Sequence, residues 1–133
     1  MTQIAKPVDV EGALASALGI AAPPVPEDLT ARLPYAVATR TGGSRAGKVV
    51  DTFYVDFDVW CAKDEWGLAH EVAAGLLARA EELPRSGGGA ATWCAVSVET
   101  HPYNNPDPVR PDLARVTFAM TITARAVVED WSD

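Results

Sequence analysis

The chain lacks any long apolar run. Its longest uncharged stretch, Gly12 to Pro26, contains three prolines, so it falls short of the roughly 18 continuous apolar residues that a membrane-spanning helix needs. Lys6, Asp9 and Glu11 interrupt the N-terminal region, where a secretory signal would place its apolar segment. We therefore expect no membrane association, and a protein that stays in the cell that makes it.

Cysteine and histidine are also scarce. Cys61 and Cys94 are too few for a disulfide scaffold, and each lies within an alternating apolar segment, which predicts free buried thiols. His70 and His101 occur in no H-x-x-H or H-E-x-x-H pattern. The sequence therefore predicts no metal site and no cofactor.

Basic residues are few and form no cluster. Eleven Lys and Arg stand against 18 Asp and Glu, which gives a net charge of −7 and a pI near 4.7. Such a field repels phosphate backbones, so we expect no nucleic-acid-binding surface. A chain of 133 residues suffices for one core, and we expect one domain, 1–133, with a short flexible N-terminus at 1–7 and a C-terminal tail at 129–133.

Hydrophobic periodicity predicts two helices. Val8 to Gly19 carries an apolar stripe at helical spacing, with Asp9 as the N-cap and Gly19 as the stop. Trp66 to Leu83 repeats the spacing i, i+3, i+4, i+7, with Asp64 as the cap, and Pro84 ends the helix.

Alternation of apolar and polar residues predicts four strands. They are Tyr35 to Arg40, Asp51 to Ala62, Thr92 to His101 and Leu113 to Val128. The last is much longer than usual, so part of it should bend or extend beyond the domain. In the third strand, the pattern places Cys94, Val96 and Val98 on one side and Trp93, Ala95, Ser97 and Glu99 on the other.

The connections are rich in proline, glycine and asparagine. We expect an extended connection at Ala21 to Pro34, a mobile loop at Thr41 to Lys48, a flexible link at Ser86 to Gly89 and a projecting loop at Pro102 to Pro111. The order is therefore αββαββ. It predicts an α+β fold in which a four-stranded, mostly antiparallel sheet carries both helices on one face.

The other sheet face is a mixture of aromatic, charged and β-branched side chains. It includes Tyr54, Asp56, Asp58, Trp60, Thr117, Thr121, Thr123 and Arg125. Trp60 and Trp93 both fall on the less apolar sides of their strands. Two explanations remain open, because large rings at such positions are enriched in subunit interfaces but also pack under loops or helices of the same chain.

One group of residues suggests chemistry. Asp56 and Asp58 share a strand face, and together with His70 they could gather a divalent cation or act as acid and base. Period-two alternation alone requires polar residues at both positions, however, and no nucleophile elbow or phosphate-binding loop is present. We expect a protein that is not an enzyme, and keep a small metal-dependent enzyme as the less favoured alternative.

The order of elements and several local phrases resemble the tail terminator, or tail completion, proteins of long-tailed bacteriophages. The resemblance runs from about Val8 to Val128. The phrases are Leu33-Pro34-Tyr35-Ala36-Val37, Arg40-Thr41-Gly42-Gly43, Asp56-Phe57-Asp58-Val59-Trp60-Cys61 leading into the helix from Trp66 to Leu83, Pro106-Asp107-Pro108, and Thr121-Ile122-Thr123-Ala124-Arg125.

The resemblance implies a structural protein of the virion, assembled in the host cytoplasm and located at the head-proximal end of the tail. Proteins of this family form a ring, typically a hexamer, that ends polymerisation of the tail tube protein and offers a docking surface to the head–tail connector proteins. DNA passes through the ring without specific binding, which agrees with an acidic subunit. A head–tail joining or neck protein of the same particle is the alternative.

Exposure and composition predict where such a subunit would meet its neighbours or partners. We expect these contacts on the polar sheet face and on the two long loops. The candidate residues are Arg40, Gly42, Gly43, Arg45, Tyr54, Trp60, Tyr103, Asn104, Asn105 and Arg110.

Overall fold

A computed structural model describes residues 2–88 and 90–131 of the chain. Its elements, in chain order, are β1 (Thr2–Lys6), α1 (Val10–Leu18), a 3₁₀ turn (Leu29–Arg32), β2 (Tyr35–Arg45), β3 (Val50–Cys61), α2 (Trp66–Glu81), α3 (Leu83–Ser86), β4 (Trp93–Asn104), β5 (Ala114–Arg125) and β6 (Val127–Trp131). None of these helices combines the length and apolar character needed to cross a bilayer.

Four strands form the main sheet, in the order β2-β3-β5-β4, and every neighbouring pair is antiparallel. Helices α1 and α2 pack on the same face of this sheet and share one apolar core with it. The predicted α+β fold, with its αββαββ order, is therefore confirmed. The structure adds the short helix α3, the 3₁₀ turn, and a second sheet of two strands, β1 and β6.

The core lies between the helices and the sheet face that they cover, which we call the helix face. Alternate residues of β3 and β5 point into it, as their period-two pattern predicts. Phe57 and Phe118 are directly opposite each other in the register, and their rings stack with centroids 4.6 Å apart and planes 3° from parallel. Cys61 is buried on the same face, and burial, with Glu65 as a smaller cause, raises the pKa of its thiol.

Helix α1 begins and ends where the sequence predicts. The Asp9 carboxylate accepts a hydrogen bond from the Gly12 N–H at 3.2 Å, and Gly19 adopts the left-handed conformation that closes many helices. The predicted cap of α2 is wrong, because Asp64 has a φ of 65° and lies in the turn before the helix. Pro84 lies in the first turn of α3, where its missing N–H breaks no helical hydrogen bond.

The predicted loop from Thr41 to Lys48 is mostly strand. β2 continues through this stretch to Arg45, and a register shift between Arg40 and Gly42 absorbs one extra residue. Gly43 permits the continuation because a Cβ there would collide with the Thr52 carbonyl oxygen of β3. The glycine-rich composition of this stretch suggested a mobile loop. In the structure, the missing side chain of Gly43 instead allows β2 and β3 to pair closely.

At the start of β4, the side chains of Trp93 and Cys94 point to the opposite faces of the sheet from those predicted. A register shift between Trp93 and Ala95 inserts one residue, so Trp93 lies on the helix face with Val96 and Val98. Trp93 is buried, and its indole N–H donates to the Gly88 carbonyl at 2.8 Å. Cys94 is consequently exposed, in contrast to the predicted buried thiol.

The long final strand is divided at Ala126, in agreement with the expected bend. β5 ends at Arg125, and the chain continues as β6 in the second sheet. There β6 pairs with β1, so residues 2–6 and 127–131 form strands, and residues 1, 132 and 133 of the predicted flexible segments lie outside the described residues. Antiparallel backbone pairing and a Lys6–Glu129 ion pair of 2.7 Å join the two strands. Each strand has only five residues, which is too few for a clear alternation of apolar and polar residues in the sequence. We call this pair of strands the terminal ribbon.

Replacing Gly43 with alanine should lower the free energy of unfolding by about 1–3 kcal/mol, because the backbone of β3 must move to accept the methyl group. Gly47 is the matched control, since a Cβ there meets no atom within 4 Å. Urea unfolding of Gly43→Ala and Gly47→Ala would measure both effects. Equal stability of the two variants would contradict the close-approach explanation.

Candidate interaction surface

The sheet face opposite the helices, which we call the open face, carries the polar half of each strand. Asp56 and Asp58 of β3 lie on it, between Thr39 and Val37 of β2 on one side and β5 on the other. The two ends of this face differ, because one is covered by loops of the same chain and the other is bare.

The covered end is built around Trp60. Its side chain is 3% exposed and packs in a second apolar cluster with Leu29, Val37 and Leu113. Trp60, one of the predicted interface candidates, is therefore buried within its own chain and adds no exposed ring to this face. Of the two explanations left open, packing beneath loops of the same subunit is the one observed, and the covering loops come from the 3₁₀ turn and the stretch before β5.

Asp107 connects Trp60 to the loop that follows β4. Its carboxylate accepts hydrogen bonds from the Trp60 indole N–H at 3.3 Å, from the Val109 N–H at 2.9 Å and from Arg110 at 3.3 Å, and Arg115 lies 3.9 Å away. Asp107 is 4% exposed. The loop predicted to project at Pro102 to Pro111 is therefore held against the sheet by Asp107, and its first three residues belong to β4.

The partners of Asp107 also determine its titration. Burial acts to raise the pKa of the Asp107 carboxyl, but the hydrogen bonds from Val109, Trp60 and Arg110 and the charge of Arg115 outweigh it. The pKa is therefore below its ordinary value of 3.8. Asp107 is therefore a buried carboxylate whose negative charge is balanced by hydrogen-bond donors and arginines of the same chain.

The part of the open face beyond the covered end presents Tyr54 with a group of hydroxyls and carboxylates, and Tyr103 lies at the border between the two parts, in the row of Val37 and Asp58. Tyr54 and Tyr103 are 48% and 45% exposed. The surface is otherwise mostly polar, and Val50 lies opposite the exposed Arg125 at its far edge. Its further members are Thr52, Asp56, Asp58, Ser97, Glu99, Thr121 and Thr123.

Hydrogen bonds between side chains order this surface. The Thr117 hydroxyl donates to Asp58 at 2.6 Å and accepts from the Asn105 amide at 3.1 Å. The Thr121 hydroxyl donates to Glu99 at 2.7 Å. The carboxylates of Asp58 and Glu99 are thereby fixed in position, and this part of the face is acidic.

Asp56 lies between these groups, and no side chain of the described residues donates a hydrogen bond to its carboxylate. Partial burial, and then the neighbouring charge of Asp58, raise the pKa of the Asp56 carboxyl. An ionised Asp56 is therefore less favourable in the folded chain than in water. A positive charge placed beside Asp56 would favour its ionised form and so act against both causes.

The other candidate interface residues are divided between this surface and the opposite one. Gly42 faces Tyr54 on the open face, and Asn105 lies at its margin. Arg40 and Asn104 lie on the helix side, where the Arg40 guanidinium is 5.0 Å from the centre of the Phe53 ring and Asn104 Oδ1 is 2.6 Å from His70 Nε2.

Arg45, Gly43 and Arg110 have structural partners within the chain. Arg45 forms an ion pair with the buried Asp51 and donates to the carbonyl oxygens of Lys48 at 3.0 Å and Ala5 at 3.2 Å. Gly43 lies against β3, and Arg110 is bound to Asp107. All three were predicted as interface candidates, and the contacts that the structure shows for them lie within the chain.

The suggested trio of Asp56, Asp58 and His70 is not brought together. The two aspartates lie on the open face, whereas His70 belongs to α2 and contacts Asn104 on the helix side. Within residues 2–88 and 90–131, no three His, Cys, Asp or Glu side chains are grouped as a metal site would require.

Sequence reasoning missed the role of Asp107, although a local signal was present. In Asp107-Pro108-Val109, the carboxylate accepts the N–H two residues further on, which is the Asx-turn geometry favoured by aspartate. The signal predicts a tight turn. It gives no information about Trp60, which lies 47 residues earlier in the chain.

Comparison of the sequence with protein-family models and with curated proteins finds no match.

Replacing Asp107 with alanine should lower the free energy of unfolding at neutral pH by about 3 kcal/mol, because it leaves the Trp60 indole and the Arg110 guanidinium without their buried acceptor and removes the negative charge that faces Arg115. Asp112→Ala, an exposed change in the same loop, should have little effect. Because the folded pKa is lowered, the contribution of Asp107 is complete above its unfolded pKa and disappears as the pH falls through the folded one. Chemical denaturation from neutral to acidic pH would test both expectations, and a pH-independent difference would contradict the second.

For Asp56 we expect a pH dependence of stability opposite in sign to that of Asp107. Its folded pKa is raised, so the protonated form stabilises the fold at low pH and this stabilisation is lost as the pH rises through the folded pKa. Asp56→Asn, which carries no charge at any pH, should therefore raise the melting temperature near pH 7 and have no such benefit in acid. Asp58→Asn is the comparison, since it weakens the bond from Thr117. A melting temperature for Asp56→Asn at or below that of the wild type near pH 7 would contradict the assignment.

Proposed function

We propose that this chain is a virion structural protein, the tail terminator of a long-tailed bacteriophage. In this role it forms a ring on the head-proximal end of the tail tube, ends tube polymerisation and gives the head connector a surface on which to dock. It is not an enzyme in this proposal, and DNA passes through the ring without being bound.

The observation that carries the proposal is the bare half of the open face. Tyr54 is exposed there among hydroxyls and carboxylates, and Tyr103 is exposed at the border with the covered end, in the row of Asp58 and Thr117. Tyrosine is enriched in protein interfaces, since it buries a large ring and keeps a polar tip. An ordered, rigid surface of this kind favours contact with another protein, because little side-chain entropy remains to be lost.

The electrostatics support the same proposal. The chain has a net charge of −7, and a ring of several copies multiplies it. Like charge repels the phosphates of DNA, so a DNA molecule moving through the ring meets no strong binding site.

Negative-stain imaging of the purified protein tests the proposal directly. We expect rings with a central hole in the protein alone or at one end of isolated tail tubes. Decoration of the tube end identifies a terminator. Rings that bind only the head connector would indicate a neck protein instead, and a monomer that binds neither structure would contradict both.

Variants of the two tyrosines test the assigned surface. Tyr54→Ala and Tyr103→Ala should each weaken assembly or tube binding at least tenfold, as expected for anchor residues of an interface, with little change in melting temperature because both side chains are exposed. Leu68→Ala is the matched control, since Leu68 is equally exposed on α2, in the opposite layer. Equal loss from Leu68→Ala, or no loss from either tyrosine, would contradict this placement.

A further inference from the structure

The terminal ribbon is a small element with few contacts to the rest of the chain. β1 and β6 contact mainly each other, and the ribbon is joined to the sheet through the Arg45–Ala5 hydrogen bond of 3.2 Å and an Ala126–Val49 backbone bond of 2.7 Å. Val127 and Val128 are 45% and 48% exposed on it. A two-stranded ribbon is only marginally stable in water by itself, so a covering surface would stabilise it.

An open apolar groove lies at the other end of the molecule. It has a volume of about 390 Å³ between the end of α1, the start of β2 and one side of α2. Its walls include Ile20, Pro34, Tyr35, Val72, Leu76 and Arg79. Among the described residues that line the groove, Arg79 is the charged one, and it donates a hydrogen bond to the Leu18 carbonyl at 2.8 Å.

The ribbon of one copy cannot occupy the groove of the same copy. β2 runs from Tyr35 at the groove to Arg45 at the ribbon, and at about 3.3 Å per residue this separates the two by roughly 30 Å. α1 runs between the same two ends. Any contact between ribbon and groove is therefore made between two molecules.

The two faces of the ribbon differ in charge. On one face Lys6 is paired with Glu129, and Val127 lies beside them. On the other, Val128 is followed by Asp130, which forms no ion pair within the described residues. Only this second face combines an aliphatic side chain with a free negative charge, and the groove combines apolar walls with Arg79.

From this complementarity we infer that the terminal ribbon of one copy docks in the groove of the next, with Val128 against the apolar walls and Asp130 beside Arg79. The two surfaces are different and lie at opposite ends of the molecule, so the contact is heterologous. Heterologous contacts close into rings or continue as open filaments. The inference rests on the proposed ring, for which it names the contact between neighbouring subunits.

Two adjacent valines give a matched pair of variants. Val128→Glu should weaken self-association at least tenfold, because it brings a charge to the apolar walls. Val127→Glu introduces the same side chain at the next residue, with similar exposure, on the opposite face, and should assemble as the wild type does. Sedimentation velocity over a concentration series would measure association, and circular dichroism would show whether both variants fold.

A charge exchange tests the second half of the contact. Asp130→Arg and Arg79→Glu should each weaken self-association, and the double variant should recover a large part of it. Recovery is the decisive result, because loss of the Arg79–Leu18 hydrogen bond would weaken the single and the double variant alike.

The outcomes separate this inference from the proposed function. Rings that form normally with Val128→Glu, or charge variants without recovery, would overturn the ribbon contact and leave the ring intact. A wild-type protein that remains monomeric at its highest soluble concentration and on tail tubes would overturn both. Open filaments that depend on Val128 and on the charge pair would support the contact and contradict the ring.

Discussion

The stacked pair of Phe57 and Phe118 lies at the centre of the structure, and the remaining elements are arranged around it. β3 and β5 are the two inner strands, and their alternate side chains form a continuous apolar surface that α1 and α2 cover. Because side chains alternate along a strand, the same register that buries Phe57 places Asp56 and Asp58 on the opposite face. Core packing and the polar surface therefore depend on one alignment of two strands.

Much of the fold was predictable because it follows from periodicity. The alternation in β3 and β5 and the helical spacing in α1 and α2 are local signals, and each extends over enough residues to be distinct. The errors lie where one residue changes the pattern. The bulge beside Trp93 reversed the facing of Cys94, and Gly43 allowed a strand where glycine composition suggested a loop. The terminal ribbon pairs segments from opposite ends of the chain, and local patterns contain no information about such a pairing.

The candidate surface was predictable in part, for a similar reason. The exposure of Tyr54 follows from its position on the polar side of its strand, whereas Tyr103 was predicted in the projecting loop and lies on β4 in the structure. The burial of Trp60 does not follow from its strand position, because it depends on a loop that Asp107 holds in place across a long sequence separation. Arg45 and Arg110 lie in glycine- or proline-rich stretches, so the sequence suggests exposed residues that could contact a partner. In the structure each instead forms an ion pair with a buried carboxylate of the same chain.

The strand order has a consequence for how the molecule folds. β2 and β3 form a hairpin of neighbours in sequence, β3 and β5 pair across α2 and β4, and β1 and β6 pair across nearly the whole chain. The entropy lost in closing a loop grows with its length, and long-range pairings gain stability only after the intervening chain has condensed. The terminal ribbon therefore belongs to the last stage of folding. A partly folded or nascent chain has no such ribbon, so any process that recognises it selects finished molecules from unfinished ones.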